Sequence, residues 1–205
     1  MLEYKVALAI LATLIGVISY ALYYRGIFKG KTKPHAFSWF VWSLLSGIAF
    51  AAQLAKNAGP GAWVTGFTAL VCFSIAVVAL FKGKHHFPRS DWFCLISSFT
   101  AIGLWWYTSD PTASVILITL TDIVAFLPTI RKDYYKPSQE TISTFALAGV
   151  KWSLGLLALD NYALANWLYI ATMVVMNSIL VTMVLLRRRY SSTKKAHHLH
   201  HHARL

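Results

Sequence analysis

Apolar runs of about 18 residues or more recur along the whole chain, separated by short polar blocks. Runs of that length are long enough, as helices, to cross the hydrocarbon core of a bilayer. The pattern predicts seven spans, at about 4–24, 36–55, 62–81, 91–108, 111–130, 141–159 and 162–186. The fourth is the weakest, since it ends in the amphipathic run Trp105, Trp106, Tyr107. The first is too long for a signal peptide and lacks a basic leading region, so it is expected to stay in the mature protein. The longest polar stretch is the C-terminal tail, which leaves no room for a separate soluble domain.

Composition agrees with the pattern. Of 205 residues, 57% are hydrophobic and 13% charged, against roughly 25% charged in a soluble domain. The formal net charge of +12 would suggest nucleic acid if it formed one face, but the basic residues sit in blocks between apolar runs. Nucleic acid is therefore not an expected partner; the lipid bilayer is. Sixteen of the nineteen Lys and Arg fall after spans one, three, five and seven, and only Lys5 and Lys56 fall on the other side. The positive-inside rule then gives an N-terminus outside and a C-terminus in the cytoplasm, in a plasma membrane of the bacterial inner-membrane kind. Cys72 and Cys94 lie within apolar runs and read as core residues, not as a disulfide framework.

Two charges have no such route to water. Asp122 lies near the middle of TASVILITLTDIVAFLPTI, and Lys151 near the middle of TISTFALAGVKWSLGLLAL. A charge at bilayer depth costs about 2.5–3.5 kcal/mol on insertion scales, so it persists when paired, facing a cavity or functional. Counting along the spans puts both about ten residues from the membrane surface, roughly 15 Å deep. Equal depth on successive spans lets them pair, either as a substrate-facing site or as a static salt bridge within the bundle; a third reading leaves both unpaired and facing a wet cavity.

Spans one to three and five to seven read as two copies of one unit. Lys29 matches Lys132, and Lys33-Pro34 matches Lys136-Pro137. After one residue of slip Trp63 matches Trp167, Thr68 matches Thr172, and Ser74-Ile75 matches Ser178-Ile179. Three spans per copy plus one between them give both copies the same orientation. The expected fold is an all-α membrane protein of seven transmembrane helices, two parallel three-helix repeats joined by a linker helix. The divisions are 1–86, 87–110 and 111–190, with a basic, His-rich tail at 191–205. Parallel repeats occur in transporters, whose solute sites lie near mid-bilayer between them.

This 3+1+3 plan, with the segment AFLPTIRKDYYKPSQETIS, resembles the SWEET and PQ-loop superfamily of small-solute transporters. Pro128 matches the family's proline near the inner end of a repeat's first helix. Arg131, Lys132 and Lys136 match the basic loop, and Ser138 to Ser143 the start of the next helix. Asn177 resembles the asparagine that lines the sugar pocket in the SWEET branch. Thr129 replaces the glutamine of the PQ pair, Tyr24-Arg25 stands where the first copy would carry its proline, and Phe73 is the counterpart of Asn177. The resemblance implies transport of a small solute.

The remaining candidates follow from chemistry. Asn177 offers donors and acceptors at mid-depth, for a pocket or for helix association. Most aromatics, Trp39, Trp63 and Trp167 among them, fall near span ends and read as headgroup anchors, whereas Trp42 and Trp152 lie deeper, and each suits stacking on a flat ligand or packing. Pro128 should kink span five and can serve as a hinge. Gly47 lies opposite Lys151 in the repeat alignment and leaves it room, whereas Gly16 and Gly66 read as close-packing positions. Ser74, Ser178, Thr68 and Thr172 read as helix glue. His197, His198, His200, His201 and His202 form a tract that resembles a tag or tail; no metal or cofactor is expected. Asp122, Lys151, Trp152, Asn177 and Trp42 are thus the expected binding residues for a small-molecule solute. A homo-oligomer stays open. The chain lacks H-E-x-x-H, G-x-S-x-G and paired membrane carboxylates, which argues against an intramembrane enzyme. A retinal pigment would carry its lysine on the last span, by analogy with known seven-span pigments. The alternative to a transporter is a non-transporting receptor or interaction protein with a transporter-like fold.

Overall fold

The computed structural model describes residues 2–30, 34, 36–82, 89–135 and 142–202. The described residues form seven α-helices: α1 (Leu2–Phe28), α2 (Ala36–Ala55), α3 (Ala62–Lys82), α4 (Arg89–Thr108), α5 (Pro111–Tyr135), α6 (Ile142–Leu157) and α7 (Leu164–His202). A one-turn 3-10 helix, Gly59–Gly61, leads into α3. An all-helical chain is the physical expectation, because only internal hydrogen bonds can satisfy a backbone in lipid. Hydroxyls within the helices follow the same logic. Thr13, Ser98, Thr119, Ser153 and Ser178 each donate to the carbonyl four residues back.

Among the described residues, four stretches are long and apolar enough to cross a membrane: Glu3–Phe28, Ala36–Ala55, Gly59–Lys82 and Leu164–Tyr190. The apolar stretches Pro111–Leu127 and Ile142–Leu157 are shorter, and α4 reaches neither class. Among the described residues there are thus seven helices, and four of them carry a stretch long and apolar enough for a span by itself. The 16 residues of α6 extend about 24 Å, less than a typical hydrocarbon thickness of about 30 Å.

Helix ends depart from the hydropathy pattern where side chains hold them. α5 runs to Tyr135, and α7 continues past residue 186 to His202. Arg187 Nε donates to the Tyr134 carbonyl at 3.1 Å, and its guanidinium sits 4.1 Å from the Tyr134 ring centroid. That contact ties the two helices together beyond their apolar parts. The tail is helical through His202; the side chains of the His-rich tract and of residue 128 lie outside the described residues. The backbone of α5 stays helical through Pro128. At its other end α5 starts with Pro111, and Asp110 caps it by accepting from the Thr112 N–H at 3.1 Å and hydroxyl at 2.9 Å.

α3 packs between α1 and α2, and α7 between α5 and α6. The two sets meet through α1 against α6, α2 against α5, α3 against α6 and α2 against α7. α4 lies outside, against α5 and α2. Small residues permit these approaches: Ala9, Ala12, Ala49, Ala52, Ala62, Ala79, Ala101 and Ala165 are buried. Gly61 marks a close approach of backbones, since a Cβ there would stand 2.6 Å from the Gly155 carbonyl oxygen of α6. The outward faces carry large apolar side chains, including Leu70, Phe81, Ile96 and Leu186, as a lipid-facing surface requires.

Candidate functional site

A cavity of about 140 Å³ lies where the two helix sets meet. Six helices line it. α1 contributes Gly16, Ser19 and Tyr20; α2 contributes Trp39, Trp42 and Ser46; α3 contributes Thr68 and Cys72. From the other set come Asp122 and Phe126 of α5, Thr144, Phe145, Ala148, Lys151 and Trp152 of α6, and Tyr169, Met173 and Asn177 of α7. The spacings are helical: 42 and 46, 68 and 72, 122 and 126, 148 and 152, and 169, 173 and 177 each put one stripe toward the void. α4 contributes nothing.

The five binding residues expected from sequence, Asp122, Lys151, Trp152, Asn177 and Trp42, are brought together around this one cavity. Asp122 and Lys151 are 1% and 2% exposed. They do not pair. Ion pairs form elsewhere, Lys5–Asp160 and Lys56–Asp110 among them, both at helix ends. Asp122 Oδ2 instead accepts from the Tyr169 hydroxyl at 3.0 Å, and the Trp42 side chain makes a further polar contact to the carboxylate. The Tyr169 hydroxyl is shared with Ser46 Oγ at 3.2 Å. Asp122 Oδ1 has no hydrogen-bond partner. Lys151 Nζ donates to Thr68 Oγ1 at 2.8 Å and lies 4.3 Å and 5.1 Å from the ring centroids of Trp152 and Tyr20. Equal depth was a poor guide to pairing, because α2, α3 and α7 bring polar groups and rings nearer to each charge than the opposite charge is.

No family model, curated protein or solved structure matches the chain.

Several single-residue expectations change. Gly47 does not make room for Lys151; it lies on the outward grooves with Ser43 and Phe73. Gly16 does, since a Cβ there would stand 3.1 Å from Lys151 Cδ and 2.9 Å from the Phe67 ring. Phe73 is 51% exposed on the outward face, so Cys72, one residue earlier, is the α3 residue that faces the cavity with Asn177. Asn177 also donates one amide hydrogen to the Met173 carbonyl of its own helix. Thr68, read as helix glue, does bond between helices, and its partner is Lys151 of α6. Trp39, read as a headgroup anchor, lines the cavity and donates to the Tyr23 hydroxyl at 3.2 Å.

Sequence reasoning missed Tyr20, Ser46 and Tyr169. One signal was available for Tyr169: it lies two helical turns before Asn177 on the same face. Nothing in the chain marks Ser46, whose role depends on a residue 123 positions away.

A polar line continues from the cavity toward the helix ends that carry Lys5 and Asp160. Helical spacing puts Thr65 on the face of Thr68, and Asn166 on the face of Tyr169. Both are fully buried, as is Gln53, whose Nε2 donates to the Asn166 carbonyl at 3.1 Å. Gln53 Oε1, Thr65 Oγ1 and Asn166 Oδ1 are buried without partners. Beyond them the α2–α3 and α6–α7 connections are joined. Asp160 N–H donates to the Ala58 carbonyl at 2.9 Å, and Gly61 N–H to the Ala158 carbonyl at 3.1 Å. Lys5 Nζ lies 3.1 Å from Asp160 Oδ1 and 2.8 Å from the Leu159 carbonyl.

Proposed function

We propose that the protein is a membrane transporter or facilitator of a small polar solute, working by alternating access between two three-helix bundles in the manner of the SWEET and PQ-loop superfamily. The observation that carries this reading is the cavity: a void within the bundle, lined by all six helices of the two sets, with a carboxylate and an ammonium that do not satisfy each other. A merely structural pair of charges gains its full attraction only in contact, and buried charges left apart are costly.

The duplication is supported by packing as well as by residue matches. Exchanging α1, α2 and α3 for α5, α6 and α7 leaves the packed pairs within and between the two sets unchanged. The α1–α3 contact maps onto α5–α7, α2–α3 onto α6–α7, α1–α6 onto α2–α5, and α3–α6 onto α2–α7. On that reading α4 is the linker and seven helices traverse the bilayer. The short α6 is shielded by α1, α3 and α7, which relaxes the length it needs. The basic blocks after α1, α3, α5 and α7 face the cytoplasm of a bacterial inner membrane, so the joined loops near Lys5 and Asp160 form a closed outer side. The buried line of Thr65, Gln53 and Asn166 is then the collapsed outer half of a solute path.

The test is flux. Purified protein in liposomes should carry a small polar solute in counterflow, and Asp122→Asn should reduce the rate at least ten-fold while Leu70→Ala on the outward face leaves it unchanged. A protein that binds a solute tightly yet gives no flux in either direction would be a receptor on a transporter-like fold.

A further inference from the structure

We propose that the solute is a compact zwitterion, its cationic nitrogen on Asp122 and its carboxylate on Lys151. This rests on the transport reading for its biological meaning, but the binding claim stands on geometry alone. Asp122 is buried at the wall of the cavity; it accepts from Tyr169 on Oδ2 and has a polar contact with Trp42, and its Oδ1 has no hydrogen-bond partner. An unmet buried carboxylate oxygen is unfavourable, and a solute N–H is the donor that would complete it. Lys151 uses one of its three N–H donors on Thr68, and it lies beside the ring faces of Tyr20 and Trp152, neither of which is a carboxylate. A solute carboxylate would complete that end.

Charge balance narrows the class. An anion would sit against the unpaired carboxylate, and a cation against the ammonium; each is disfavoured in a buried site. A neutral polyol would meet both charges with dipoles only. A zwitterion answers both at once. Size narrows it further, because about 140 Å³ is close to the engineered cavity of about 150 Å³ that takes a single benzene. Proline or a compact betaine fits that volume, and a disaccharide or nucleotide does not. The indole rings of Trp42 and Trp152 supply apolar walls for the body of such a solute, and Trp152 packs edge-on against Tyr169 with centroids 6.0 Å apart.

The test compares near-isosteric probes on the purified, full-length protein in detergent. Proline and glycine betaine are set against pyrrolidine (cation alone), cyclopentanecarboxylate (anion alone) and glucose (neutral), by equilibrium binding and thermal shift. At least one of the two zwitterions should bind ten-fold or more tightly than every single-charge or neutral probe. Asp122→Asn and Lys151→Met should each weaken it at least ten-fold. The probe comparison on the unaltered chain needs no variant, so poor folding of either substitution does not rescue the idea. Equal binding of a zwitterion and its single-charge counterpart, tighter binding of glucose, or no binding of either zwitterion would overturn it. Zwitterion binding without flux sinks transport and leaves the solute class standing; glucose flux without zwitterion binding does the reverse.

Discussion

At the scale of single residues, the site depends on side chains that leave space as much as on those that carry charge. Gly16 of α1 lies against both the Phe67 ring and the stem of Lys151. Gly16→Ala should therefore push the lysine away from Thr68, lower stability by about 1–3 kcal/mol and reduce uptake, read by thermal unfolding and flux. Gly47→Ala, whose added carbon meets nothing, should change neither. Asp122 and Lys151 have separate partners, Tyr169 for one and Thr68 for the other. The variant carrying both Asp122→Asn and Lys151→Met should accordingly be no more stable than the worse single variant. Recovery of stability in the double variant would mean that the two charges meet directly. The sequence made both charges conspicuous, since apolar runs rarely hold one. Their partners were inconspicuous: serine, threonine and tyrosine in such runs are ordinary, and only the fold gives these ones a role.

At the scale of helices, length and capping are the informative quantities. α5 begins at Asp110, whose carboxylate is held below its ordinary value of 3.8 by the Thr112 N–H and hydroxyl, with Lys56 adding to the effect from 3.3 Å. A depressed carboxylate stabilises the fold above its unfolded value and loses that contribution as pH falls through the folded one. Asp110→Asn should thus lower the unfolding temperature at neutral pH, and the gap from the unaltered chain should close below pH 3.8. A gap that stays constant down to strongly acidic pH would count against the cap as an ionised group. Helix identity was legible from hydropathy because every apolar run did become a helix. Helix ends were not: α5 and α7 outlast their apolar parts, and the Arg187–Tyr134 contact found there joins positions 53 apart.

At the scale of the whole molecule, the two helix sets are joined on one side by hydrogen bonds between the α2–α3 and α6–α7 connections. Transport by alternating access needs those connections to part. Ala58→Cys with Asp160→Cys places two thiols where Asp160 N–H now reaches the Ala58 carbonyl. Oxidation should stop uptake at least ten-fold, and a reductant should restore it. Uptake that continues with the disulfide formed would show that the connections need not separate. Lys5 adds to the joint by reaching from α1 across to Asp160 and Leu159, a contact between chain positions more than 150 apart.

The order of apolar and polar residues was enough to decide that this chain is helical, apolar on its outer faces and built around two buried charges, because burial in lipid restricts backbone and charge so severely. It also marked five residues that do share one cavity. The pattern could not decide what those charges touch. A hydropathy run fixes the depth of a residue but not the direction in which its helix faces, and rotation about the axis determines whether Asp122 meets Lys151 or Tyr169. That rotation is set by small residues at helix crossings, Gly16 and Gly61 among them, and by hydrogen bonds between distant positions. Those are tertiary facts, and they determine which residues line the cavity.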